Sequence, residues 1–242
     1  MISIFLSQLS ALGIPSEKLP SDELNTKLES GEPSFTIDVQ PDNDPTYLIT
    51  LYYTTPNYTI PGDTLPPCLT QLVGTLYDPV TNDIDKCHPF LVKDGRSEFS
   101  VSQVKNLLAG RCVAHCFRQH TPFGYDKWYH LDFETRGPEN AYRLVTTRFS
   151  VNHYIQKVLA LYPIIEMEDP AYPPIILEAL AAGERIQIQL REGKQITPKL
   201  IQLHPAGRIR FNRTDKASAT FDIQHKKAEL LCPTDKTSET LA

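Results

Sequence analysis

Ser100-Val-Ser-Gln-Val-Lys-Asn-Leu-Leu-Ala-Gly110, followed at once by Arg111-Cys-Val-Ala-His-Cys-Phe117, is the stretch on which the fold turns. Ser100 and Gln103 stand at capping-box spacing, where each side chain satisfies a backbone N–H of the other. Val104, Leu107 and Leu108 then make one apolar stripe at helical spacing. Gly110 stops the helix, because a residue without Cβ takes the left-handed conformation that turns the chain away. The β-favouring residues after it predict a strand over 112–119. The same order occurs at Leu24-Asn-Thr-Lys-Leu-Glu-Ser-Gly31 and at Ile176-Leu-Glu-Ala-Leu-Ala-Ala-Gly183. Three such junctions predict an α+β fold of repeated helix–Gly–antiparallel hairpin units, short helices packed on small antiparallel sheets.

Working outward, the first residues read as an amphipathic helix ending near Gly13 and Pro15, and a second helix runs from Ser21 to Gly31. Alternation predicts strands at 35–39 and 47–53, with shorter ones at 72–77 and 89–93. Pro56, Pro61, Pro66 and Pro67 make an extended connection. Beyond Gly110, strands are expected at 112–119, 127–134 and 141–149, and a helix at 151–161 stopped by Pro163. Tyr172-Pro-Pro174 opens another helix. Strands at 185–191, 195–203 and 207–212 follow, with a further one at 219–224. The turn Lys93-Asp-Gly-Arg96 divides the chain into an acidic domain over 1–95 and a second over 96–227, with a flexible tail at 228–242.

Charge separates along the same line. Residues 1–100 carry five Lys and Arg against fourteen Asp and Glu, within a chain of net charge −5. Residues 183–227 carry ten basic side chains against four acidic ones. Arg185, Lys194, Lys199, Arg208, Arg210 and Arg213 are the candidate contacts to a phosphate backbone, Arg208 and Arg210 sharing one strand face. The alternative use of the same charges is docking on the acidic half of the chain.

Five stretches carry a resemblance: Asn106-Leu-Leu-Ala-Gly-Arg111, Trp128-Tyr-His-Leu-Asp-Phe133, Leu161-Tyr-Pro-Ile-Ile-Glu166, the run from Leu177 to Gly183 and the strand Gly207–Phe211. On these, residues 104–212 resemble a family of uncharacterised Bacteroidetes proteins encoded on conjugative and other mobile elements. The first hundred residues are similar only loosely to the short domain that precedes that unit. The resemblance implies an accessory role in a mobile element or its host, and brings no reaction and no catalytic residues.

Other clusters have plain structural readings. Cys112, Ala114 and Cys116 fall on one face of a strand and His115 on the other, so the thiols and the imidazole do not converge as a tetrahedral zinc site needs. Trp128, His130, Asp132 and Glu134 share a face, read as the wet side of a sheet; an enzyme would use His130 and Asp132. Cys87-His88 adjoins a proline and reads as a loop. No Ser or Cys sits in a nucleophile elbow and no glycine-rich phosphate loop is present. The five cysteines, odd in number and irregularly spaced, read as free thiols of a reducing compartment. No run approaches the roughly 18 apolar residues of a membrane span, and the first residues lack the basic flank and cleavage site of a secretory signal. These features lead us to expect a non-enzymatic, cytoplasmic binding protein with no cofactor, no metal and no membrane partner. Its partner is a protein, or nucleic acid bound through the basic C-terminal sheet; an enzyme is the third possibility. The oligomeric state is not encoded legibly.

Overall fold

The α3 helix, Val101–Leu108, begins as its capping box dictates: the Ser100 hydroxyl accepts the Gln103 backbone N–H at 3.3 Å and the Gln103 side-chain Oε1 accepts the Ser100 N–H at 3.0 Å. The structure, a computed structural model, describes residues 2–14, 18, 20–41, 44–55, 67–93, 96–115, 127–137, 141–148, 155, 157–205 and 208–213. Most of the Pro-rich connection, the strand expected at 219–224 and the tail at 228–242 lie outside the described residues. The chain forms two compact units, one of Met1–Gly110 with His130–Val145, the other of Arg111–Tyr129 with Thr146–Ala242.

In the first unit, α1 (Ile2–Ala11) and α2 (Ser21–Ser30) precede a five-stranded antiparallel meander of β1 (Ser34–Val39), β2 (Tyr47–Thr54), β3 (Cys68–Tyr77), β4 (Ile84–Lys93) and β5 (Arg96–Ser97). Alternation sets its faces. Phe35, Ile37 and Val39 stand opposite Tyr53, Leu51 and Ile49, and all six are buried. The Tyr53 ring stacks on Phe35 with centroids 5.0 Å apart and meets Phe5 of α1 at 5.6 Å. On β3 the central position is Gly74, paired with Ile49 on one side and His88 on the other. A Cβ there would fall 2.5 Å from Val104 Cγ1 and 2.8 Å from Leu108 Cδ1, so α3 rests directly on the bare backbone of β3. Tyr47 fixes the start of α3 by donating its hydroxyl to the Val101 carbonyl at 2.8 Å, and Val101 N–H reaches the Leu12 carbonyl after α1 at 2.9 Å.

Residues 130–145 return to this unit. The Tyr142 ring stacks against His88 at 6.3 Å and meets Phe133 at 4.7 Å, edge to face. The Lys86 ammonium lies 5.2 Å from the centre of the Phe133 ring. The expected boundary near residue 96 therefore falls inside a unit, because α3 and this later segment both pack on the meander.

The second unit holds β6 (Val113–His115), paired antiparallel with the first residues of β7 (Lys127–Arg136); β8 (Tyr142–Arg148) is the third strand of that sheet. Ile155 and residues 157–159 are helical, as far as the expected helix at 151–161 is described. A 3-10 turn (Ile165–Glu168), the helix α4 (Tyr172–Ala181) and a sheet of β9 (Ile186–Glu192), β10 (Gln195–His204) and β11 (Arg208–Arg213) complete it. Ile175, Ile176, Ala179 and Leu180 of α4 pack with Ile186, Ile188, Ile201 and Leu203 of the sheet and with Cys112, Ala114 and Trp128.

The fold is α+β, with short helices and three small antiparallel sheets. Gly31, Gly110 and Gly183 all follow helix ends, with φ of +68°, +75° and +84°, and each leads into an antiparallel hairpin. Packing differs among the three. The α2 helix touches β1 and α4 touches β9, whereas α3 lies on the preceding strands β3 and β4. Cys87-His88 is in β4, not in a loop. Pro89 is tolerated because this part of β4 is an outer edge, β5 pairing only with Val92 and Lys93. No helix among the described residues is long and apolar enough to cross a membrane.

Candidate nucleic-acid interface

Side chains alternate across β9, β10 and β11, and the register of the three strands decides which cations meet. Gln202 pairs with Arg210 and His204 with Arg208. One residue beyond the Ile201–Ile186 pair, Arg185 stands beside Gln202, and its Nε–H donates to Gln202 Oε1 at 3.1 Å. Arg185, Gln202 and Arg210 therefore form a row across the sheet, on the face opposite the core. Gln187, Gln189, Arg191, Leu200, Asn212 and Arg208 occupy the same face by register. Arg208 and Arg210 are exposed, while Leu200 at the centre is buried. No described position of this face holds a carboxylate. Arg191 is neutralised from outside it by Glu168 of the 3-10 turn, at 2.9 Å.

The six basic residues expected to act together do not all do so. Arg185, Arg208 and Arg210 share the outer face. Lys194 lies exposed beside Gly193 in the β9–β10 turn. Lys199 and Arg213 are paired at positions of the opposite parity, the face that also carries Ile201 and Phe211. There Lys199 is held by Glu192 at 3.2 Å. The Thr197 hydroxyl, followed by Lys199, holds the Glu192 carboxyl below the usual range. Lys216, Lys226 and Lys227, which contributed to the basic count, lie outside the described residues.

Arg111, which was not among the candidates, belongs near this group. Burial lowers its guanidinium pKa first, the positive charge of Arg185 lowers it further, and Glu184 opposes the shift. The position was visible in the sequence as the first residue after Gly110, matching Arg185 two residues after Gly183.

The β9 edge beside this face is closed. Both Glu166 oxygens accept the Gln189 N–H, at 2.9 and 3.0 Å, and the Pro163 carbonyl accepts the Arg191 N–H at 2.9 Å. The outer face, not the edge, is what this sheet presents.

The remaining clusters hold no converging chemistry. Cys112 is buried, and burial pushes its thiol up to about 12, far from a reactive thiolate. Cys68, Cys87 and Cys112 are free; Cys116, His120 and Cys232 lie outside the described residues. Trp128, expected on a wet face, is 4% exposed in the core of the second unit. Desolvation lowers the pKa of His130, and the nearby Asp132 carboxylate only partly offsets it. The Asp132 carboxyl accepts the Glu134 N–H at 3.0 Å; the Thr135 hydroxyl is the first cause that holds it below the ordinary carboxylate range. Among the described residues no three His, Cys, Asp or Glu side chains are grouped to hold a metal ion. No family model matches the chain, and neither a curated protein nor a solved structure matches it.

Proposed function

We propose that this chain is a non-enzymatic binding module whose ligand is nucleic acid, held by its phosphate backbone against the outer face of β9, β10 and β11. The observation that carries the reading is the gathering of Arg185, Arg208 and Arg210 on one face with no carboxylate at any described position there. Guanidinium groups keep their charge at any working pH and match phosphate oxygens with paired N–H donors. Gln202, Gln187 and Asn212 add neutral donors and acceptors between them. An accessory role in a mobile element or its host is the biological setting suggested by the resemblance of residues 104–212, and it stands on that resemblance alone.

The test is charge reversal. Arg208→Glu with Arg210→Glu abolishes retention on immobilised heparin and binding to labelled DNA, with the melting temperature unchanged. For the wild type, log affinity falls linearly with log salt, by about 0.9 for each phosphate contact on a duplex. Binding that survives the double reversal sinks this reading. A double variant that instead melts several degrees lower assigns the arginines to the protein's own stability.

A further inference from the structure

We propose that the face selects a nucleic-acid duplex over a single strand, with its arginines set as two rails and hydrogen-bonding amides between them. This deepens the reading above and rests on it. Arg185, with Arg111 near it, stands on the β9 side; Arg208 and Arg210 stand on β11, and Gln202 on β10 separates the two sides. Adjacent strands lie about 4.8 Å apart, so the two cation rows are roughly 10 Å apart at the backbone. A duplex presents two phosphate strands across grooves about 6 and 12 Å wide. Two rails at this separation face two backbones at once, and the long arginine side chains adjust the fit. A single strand offers one line of phosphates and uses only one rail.

The middle of the face supports the same choice. Proteins that hold unpaired bases do so by stacking them on aromatic rings. Here the described positions carry Gln187, Gln189, Gln202, His204 and Asn212 around Ile196, Pro198 and Leu200, with no Phe, Tyr or Trp. Phe211 of β11 stands on the other face and packs against Tyr162 at 4.4 Å. Amide side chains suit base edges and phosphates of a stacked duplex and gain nothing from splayed bases.

Anisotropy titrations of the full chain compare a labelled duplex of about two turns with each of its single strands at equal salt. The expected result is duplex binding at least tenfold tighter. Arg185→Ala on one rail and Arg210→Ala on the other each weaken duplex binding and reduce its salt slope by about one. Arg185→Lys, which keeps the charge, retains most of the slope and guards against a change caused by the lost Gln202 hydrogen bond. Equal or tighter binding of the single strand overturns the duplex assignment while leaving a phosphate-binding face. A slope unchanged by Arg185→Ala removes the second rail and overturns it too. Binding of neither form overturns the proposed function itself, and this inference with it.

Discussion

Replacing Gly74 with alanine adds one methyl group where α3 meets β3, and the geometry makes its effect calculable. The new Cβ stands 2.5 Å from Val104 Cγ1 and 2.8 Å from Leu108 Cδ1, against an ordinary carbon–carbon contact of about 3.5–4.0 Å. About 1 Å of separation must be found. Val104 cannot supply it by turning, because a β-branched side chain in a helix has one strongly preferred rotamer. Leu108 is fully buried and has no open side to move into. The helix itself must lift, and overpacking of this kind costs about 1–3 kcal/mol. A gain of about 0.4–1 kcal/mol opposes it, since alanine restricts the unfolded chain more than glycine does. The net expectation is a loss of about 1 kcal/mol, a fall in Tm of about 2–4 °C for a chain of this size. Thermal melts followed by circular dichroism read it directly. Val104→Ala costs stability alone, yet in the Gly74→Ala background it removes the nearest clash and restores part of the loss, a favourable coupling of about 1 kcal/mol. A Gly74→Ala protein that melts at or above the wild type, or two substitutions whose effects simply add, would refute the close approach of α3 to β3.

Two tyrosines on β2 give opposite signs for the same substitution. Tyr47→Phe loses the 2.8 Å bond to Val101 and costs about 1 kcal/mol, whereas Tyr53→Phe removes a buried hydroxyl with no hydrogen-bond partner among the described residues and gains about as much; melts that move in the same direction would contradict this. His88 supplies a pH dependence. It is buried, with its Nδ1 unpartnered among the described residues, and burial followed by the Arg136 charge lowers its pKa from 6.5 to about 4. The unfolded chain then binds the proton more readily than the folded one. The stabilisation is complete above pH 6.5 and is lost as pH falls through about 4, about 3 kcal/mol in all. In denaturant titrations between these limits, the wild type is expected to lose stability relative to His88→Phe as the pH falls, and parallel curves would show that His88 is not the group.

Much of the architecture was written locally. The capping box at Ser100 and Gln103, the three glycines after the helices and the alternation of Phe35, Ile37 and Val39 are each decided by neighbours in the chain. Cys87-His88 was misjudged because Pro89 breaks a ladder only where a ladder exists on its N–H side, and strand order is not a local property. The domain boundary failed for the same kind of reason: Gly74 gives no sign in the sequence that a helix thirty residues later will cover it. At the candidate interface, the period of two already placed Arg208 and Arg210 together. The arrival of Arg185 in the same row needed the register of β9 on β10, which the sequence does not display.

The return of residues 130–145 to the first unit bears on how the protein is made. When the ribosome has finished Gly110, the meander and α3 are present but Phe133 and Tyr142 are not, and the β4 surface around Lys86 and His88 lacks the rings that pack on it. Residues 111–129, which belong to the second unit, must be synthesised in between. The first unit therefore cannot mature in step with its own translation. It waits, with the His88 imidazole short of the Tyr142 ring that packs on it, until the chain is complete through Val145.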